Sequence, residues 1–356
     1  MKQDLARAEV FCAAFGLRLP ILLAPMAGAC PPVLSAAVAN AGGLGACGAL
    51  LMQPQAIADW AEKFRAASNG RFQMNLWVPD PPPRRDEANE AALREFLGQW
   101  GPAVPPEAGN ATPPDFTAQC EAIFTARPTA ISSMMGLFPA DFVARLKEEG
   151  IKWLATVTTV AEARAAAAAG ADALIAQGAE AGGHRGAFAA NEAESAAIGL
   201  FALLPAVCDA VDIPVIAAGG IADARTIAAA LLLGASAVQI GTGFLRAPEA
   251  GIASGWADAL ATAQPEDTML TRAFSGRTGR GLTTEYVLAA ATPKAPPPAP
   301  YPVQRGLTQA LRDAAMRNND LSRMQAWAGQ SARLAPARPA GEIAAMWWDE
   351  ARQLLC

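Results

Sequence analysis

One histidine occurs in 356 residues, and it stands in the stretch AEAGGHRGAF, residues 179–188. Imidazole is the side chain whose ordinary pKa, about 6.5, lets it accept a proton near neutral pH without strong tuning. Around His184, Gly182, Gly183 and Gly186 carry no side chains, which opens both the ring and the backbone to a small molecule. A lone histidine on a helix or strand face is more often a satisfied structural group. In a glycine loop the sequence favours a catalytic or substrate-binding role.

A second chemical signal lies downstream, in AAGGIAD (217–223) and QIGTGF (239–244). Gly219, Gly220, Gly241 and Gly243 let backbone N–H groups approach an anion closely, and a helix beginning near Asp223 would turn its positive end towards the same place. One such loop would do no more than turn the chain. Two, on neighbouring strands late in an alternating α/β chain, indicate a phosphate site.

The elements that must position these residues can be read as short aliphatic runs separated by alanine-rich stretches. Eight strands are expected, at 21–28, 44–49, 72–78, 130–136, 152–157, 171–178, 214–220 and 237–244. Most are almost continuously apolar, as strands covered on both faces should be. Helical stretches follow the first, fourth, fifth and seventh, each closing on a glycine where a C-cap would fall. The pattern predicts a (β/α)8 TIM barrel, with its active site where the strands end. A doubly wound open sheet is the alternative, but G-x-G-x-x-G is missing after the first strand.

Residues 1–282 form the expected barrel, with a proline- and glycine-rich insertion at about 79–119 that holds one short helix near EAALREFLGQW. After the proline-rich ATPKAPPPAPYP, residues 283–356 form a helical extension, with helices around 305–330 and 340–355. The expectation is a tail packed on the barrel. A homo-oligomer contact through Trp347 and Trp348 is the alternative.

The strand ends also limit the chemistry. A Schiff-base lysine is not expected, because Lys152 begins the fifth strand and so points to the opposite rim. Met26, Asn75, Gln177 and glycines at the strand ends do not make a metal site, so no catalytic metal is expected. A phosphate-bearing organic cofactor is left to carry the reaction.

With 28 basic against 33 acidic side chains the net charge is −5, which argues against a nucleic-acid or membrane surface. The most apolar run, 196–211, is broken by Pro205 and Asp209. Six scattered cysteines and no signal-like N-terminus lead to the expectation of a soluble, cytoplasmic protein.

Taken together, APMAG (24–28), MNLWVP (74–79), AEAGGHRG (179–186), PVIAAGGIAD (214–223), VQIGTGFL (238–245) and AFSGRTGRG (273–281) resemble the nitronate monooxygenases, formerly called 2-nitropropane dioxygenases. YPVQRGLTQALR and AWAGQSARLA resemble the tail of the same family. The resemblance runs from about residue 17 to 350 and is weak over the insertion. It is shared in part with a flavin-dependent enoyl-acyl-carrier-protein reductase.

The resemblance implies a TIM barrel that binds FMN noncovalently. The backbone at Met26 would lie beside the isoalloxazine ring, and Asn75 and Gln177 would hydrogen-bond the flavin. Gly182 and Gly183 would line the ring and ribityl chain. Gly219, Gly220, Gln239, Gly241 and Thr242 would surround the phosphate, and His184 would be the catalytic base.

The implied reaction is oxidation of alkyl nitronates, of the propionate 3-nitronate type, by O2 to a carbonyl compound and nitrite, through a flavin semiquinone. Neutral nitroalkanes are the related substrate, and an NAD(P)H-dependent FMN reductase is the rival activity. Two departures from the family pattern stand out: ATVTT ends the fifth strand where some members have a basic residue, and Ala250 stands where many have serine.

Overall fold

The computed structural model describes residues 2–356, with side chains from residue 4 onward. Among the described residues eleven strands form, β1 (Ile21–Leu23), β2 (Leu44–Gly48), β3 (Arg71–Trp77), β4 (Ala130–Met134), β5 (Lys152–Val157), β6 (Ala173–Gln177), β7 (Gly183–His184), β8 (Val215–Ala218), β9 (Ala237–Ile240), β10 (Thr268–Thr271) and β11 (Gly279–Leu282). Eight of them close a parallel barrel in the order β1-β2-β3-β4-β5-β6-β8-β9. Closure is made by β1 on β9, with Leu22 opposite Gln239. All eight barrel strands lie where the sequence places them.

The first and last barrel strands are shorter than expected. β1 stops at Leu23, and after β9 the chain bends into a 3-10 turn at Thr242–Phe244. Residues 24–28 and 241–244 thereby leave the ladder and turn over the barrel mouth. Helices Pro32–Ala41, Ala140–Glu148, Val160–Ala168 and Ala224–Leu232 follow the strands foreseen. The glycine that ends each is left-handed, with φ 110° at both Gly42 and Gly234.

Strand residues alternate between barrel axis and helices, and this alternation sorts the core. Met74, Leu76, Leu174, Ala176, Val238 and Ile240 pack outward against the helices. Leu22, Leu44, Ala130, Leu154, Ile175, Ile216 and Ala237 pack inward, and Phe11 and Phe15 of the N-terminal helix join them. Those two phenyl rings stack at 4.4 Å. The next inward positions towards the mouth change character, to Asn75, Ser132, Thr156, Gln177 and Gln239, all buried. The barrel is therefore apolar at its base and polar at its open end.

The helix Ala340–Leu355 packs against both Ala224–Leu232 and Pro32–Ala41, closing the outer ring where β9 has no long helix of its own. Gly341 permits the close approach, since a Cβ there would lie 3.0 Å from the Ala37 carbonyl. Trp347 and Trp348 are buried, and the Trp347 ring lies 5.3 Å from that of Phe244. Both tryptophans thus serve the packed tail.

Residues 305–330 are helical only in part. Helices Val303–Leu307 and Gln309–Arg317 form, but Asn319 takes a left-handed φ of 51° and the chain then runs without an α-helix to residue 339. The insertion holds the expected helix, Glu87–Gly98, and a 3-10 turn at Pro106–Asn110. Leu93 and Leu97 of that helix share a second core with Phe274, Tyr286, Val303, Leu307 and Leu311. Among the described residues, no helix is long and apolar enough to cross a membrane.

Candidate active site

All eleven site residues expected from the sequence lie on the C-terminal rim of the barrel, at or just beyond β1, β3, β6, β8 and β9. On the β8 and β9 side the rim is made of backbone. Gly219 and Gly220 both have positive φ, 106° and 70°. A Cβ on Gly219 would sit 3.0 Å from the Ala181 nitrogen, so the β8 loop and the histidine loop touch there.

Next to them, the first intrahelical bond of the 3-10 turn is Phe244 N–H to Gly241 O at 2.9 Å. The N–H groups of Thr242 and Gly243 precede it and have no acceptor within that turn. Gly241 faces Met26, whose Sδ would lie 3.3 Å from a Cβ at that position.

Gly182 and Gly183 divide their roles. A Cβ on Gly182 would strike Gly329 N at 2.5 Å, so its bareness lets residues 328–329 cross the loop. Thr242 Oγ1 fastens that crossing by accepting from Gly329 N–H at 3.0 Å. Gly183, at φ 76°, has nothing within 4 Å of its Cβ position and presents an open face.

The polar layer beneath is internally bonded. Asn75 Nδ2 donates to Ser132 O and Oγ, both at 3.1 Å. Gln73 Nε2 donates to Gln239 Oε1 at 2.9 Å, while Gln73 Oε1 is buried without a partner. Gln177 staples the histidine loop: Nε2 donates to His184 O at 2.9 Å and Oε1 accepts from Gly186 N–H at 2.8 Å.

His184 sits in β7, paired antiparallel with Gly279 of β11. β11 also bridges Gly281 to Trp327. Its bare positions let the indole lie flat, because a Cβ on Gly279 or Gly281 would come within 3.1 Å of the Trp327 ring.

The imidazole is held edge-on between two indoles, 4.7 Å from Trp77 and 5.0 Å from Trp327. His184 Nε2 lies 2.7 Å from Ser275 Oγ, which in turn reaches the Arg277 carbonyl at 3.1 Å. Arg277, fully buried, pairs with Asp80 and donates to Ala187 O.

Loss of water pushes the His184 pKa down to about 3, and the charges of Arg305, Arg277 and Arg312 push in the same direction. The ring is accordingly neutral throughout the physiological range. No carboxylate of the described residues forms an ion pair with Arg305, although burial lowers its pKa as well.

Sequence reasoning assigned no role to Trp77, Ser275, Arg277, Tyr301, Arg305 or Trp327. Their signal was present in WVP, SGRTGRG, YPVQR and WAGQ, four of the stretches that carry the family resemblance.

Comparison with known proteins agrees with this geometry. The nitronate monooxygenase family profile matches residues 9–347. A nitronate monooxygenase of Paraburkholderia phytofirmans is 38% identical over 349 residues, covering 95% of this chain and 93% of its own. One from Pseudomonas aeruginosa is also 38% identical, over 96% of this chain and 99% of its own. Among solved structures, the nitroalkane oxidase of Streptomyces ansochromogenes superposes with a TM-score of 0.87 at 37% identity, covering 97% of this chain and all of that one. FabK of Thermotoga maritima superposes with a TM-score of 0.76 at 28% identity, covering 97% of this chain and 96% of that one.

Proposed function

The chain belongs to the nitronate monooxygenase family of oxidoreductases, and on that premise we propose that it is an FMN-dependent enzyme that oxidises small alkyl nitronates with O2 to a carbonyl compound and nitrite. The observation that carries this reading is the environment of His184: a neutral imidazole between two indoles, under the positive field of three arginines, on the rim beside an open glycine face.

The residues present fit FMN. Gly219 and Gly220, with the free N–H groups of Thr242 and Gly243, suit a phosphate dianion. Gly183 leaves room for a flat ring, and Met26 borders the same space. The partnerless Gln73 Oε1, on the amide whose Nε2 donates to Gln239, gives the polar layer beneath spare acceptor capacity. Asn75 and Gln177 line that layer, while Gly182 keeps the loop in register. FMN, when bound, supplies the electron acceptor that no side chain here can provide.

The chain's own residues then bind, orient and deprotonate. Arg305, which forms no ion pair with a carboxylate of the described residues, attracts an anionic nitronate, whereas the charge of Arg277 is balanced by Asp80. We assign the ring hydrogen of His184 to Nε2, because Ser275 uses its single hydroxyl hydrogen on the Arg277 carbonyl and so accepts from the ring. Nδ1 then holds the lone pair that removes the α-proton of a neutral nitroalkane. Trp77 and Trp327 keep water from the ring.

The deciding experiment is an anaerobic titration of the FMN-loaded protein, followed by flavin absorbance. Bleaching by ethylnitronate and not by NADH or NADPH is the expected result. Rapid bleaching by either pyridine nucleotide alone would replace this reading with a reductase.

A further inference from the structure

The loop that carries His184 is closed by two side chains that reach in opposite directions. Gln177, at the end of β6, reaches forward to His184 O and Gly186 N–H. Arg185 reaches back: its Nη1 donates to Gly178 O at 2.6 Å and to Gln177 O at 3.2 Å. The two side chains meet where the same Nη1 donates to Gln177 Oε1 at 3.3 Å. That oxygen accepts from Arg185 and from Gly186 N–H together, so the amide can turn only its NH2 group towards His184 O.

Arg185 is a costly side chain to bury. It is 1% exposed, and its Nε and Nη2 find no acceptor among the protein groups. No carboxylate of the described residues forms an ion pair with it. Glu162 accepts instead from Thr158 N–H at 2.6 Å and Phe188 N–H at 2.7 Å, and Glu180 from Leu200 N–H at 2.9 Å. Loss of water pushes the Arg185 pKa down to about 10, against the opposing pull of Glu162 and Glu180.

An unpaired buried cation opposes folding, and an apolar side chain of similar volume would fill the same space at least as well. Stability therefore does not account for this residue. What an apolar chain could not do is bind two carbonyls and an amide oxygen at once, tying the end of β6 to the strand that bears the imidazole.

We propose that Arg185 is a positioning residue: with Gln177 it fixes the loop so that His184 Nε2 meets Ser275 and Nδ1 is left as the base. The proposal rests on the proton-abstraction reading above and adds to it a residue that acts through the loop.

The test uses Arg185→Met, which keeps the bulk and removes every donor, and Arg185→Lys, which keeps the charge and a donor group. Because the chain has one histidine, the imidazole 15N signals of histidine-labelled, FMN-free protein report its tautomer directly. The parent should show the Nε2–H form alone and Arg185→Met a mixture, with Arg185→Lys between them. On the FMN-loaded enzyme, Arg185→Met should lower kcat/KM for neutral nitroethane about 100-fold, the effect of a misplacement of about 1 Å. Ethylnitronate, whose proton is already gone, should lose far less. The thermal unfolding temperature of Arg185→Met should equal or exceed that of the parent.

An Arg185→Met protein that is less stable, or does not fold, makes Arg185 a structural residue and overturns the proposal. So does a pure Nε2–H form combined with the parent's ratio between the two substrates. If the parent oxidises neither substrate the nitronate reading fails, and the tautomers of parent and variants still decide whether Arg185 sets the imidazole.

Discussion

The two sides of the barrel mouth are built from different materials. Beyond β8 and β9 the rim is backbone: paired glycines at positive φ and a short turn with free N–H groups. Above β3 and β6 the wall is side chain: Trp77, His184, Ser275, Tyr301 and Trp327, drawn from segments far apart in the sequence. An anion held by N–H groups needs only local loop geometry. A pocket that must exclude water and hold one proton acceptor needs bulk, and bulk has to be gathered from wherever the chain returns.

If that division is functional, lesions on the two sides should separate. His184→Asn strikes the side-chain wall and should have the largest effect: a loss of about 10²- to 10⁴-fold in kcat/KM on neutral nitroethane, with a much smaller loss on ethylnitronate and unchanged FMN affinity. Equal losses on both substrates would remove proton abstraction from the role of His184.

Gly219→Val strikes the backbone rim, where φ is 106° and the Ala181 nitrogen stands 3.0 Å from the new Cβ. FMN affinity, measured by fluorescence titration, should weaken about 10- to 100-fold. The variant resupplied with saturating FMN should retain the nitroethane-to-ethylnitronate ratio of the parent. A changed ratio would mean that the two sides are one unit.

The smallest effect concerns stability. The pKa of His184 is about 3 in the folded protein against about 6.5 unfolded, so between those values the unfolded chain binds more protons. This contribution is complete above pH 6.5 and is lost as pH falls towards 3. By pH 5 it should cost the FMN-free protein up to about 2 kcal/mol relative to pH 7. Urea unfolding of parent and His184→Asn at both pH values isolates it, and identical pH dependence in the two would contradict a neutral ring in the folded protein.

The same division explains what the sequence disclosed. Barrel strands appear as apolar runs because helices cover one face and the core fills the other, and Gly219, Gly220 and Gly241 appear as glycines because the rim needs bare backbone. The hairpin of β10 and β11 is not legible in the sequence: the polarity of SGRTGRG (275–281) carries no strand period, and β11 is held by its antiparallel partners β10 and β7. Residues 318–330 look helical in composition, yet Trp327 is captured by the bridge to Gly281 and the left-handed Asn319 ends the helix before it. Gln177 was read as a flavin ligand from resemblance alone. Its bonds to His184 O and Gly186 N–H fix the loop that carries the imidazole, a task the resemblance did not imply.

The helix Ala340–Leu355 joins the outer ring between elements that begin near residues 32 and 224. During ribosomal synthesis the groove it fills stays open until residues 340–355 have emerged. The contact it brings reaches the barrel mouth, since Trp347 lies beside Phe244 and within 2.8 Å of a Cβ position on Gly243, in the 3-10 turn after β9. Maturation of the glycine rim is therefore coupled to a contact of very long sequence separation, the kind that forms late in folding. A nascent chain arrested before residue 340 would carry every residue of the rim and lack the helix that braces it.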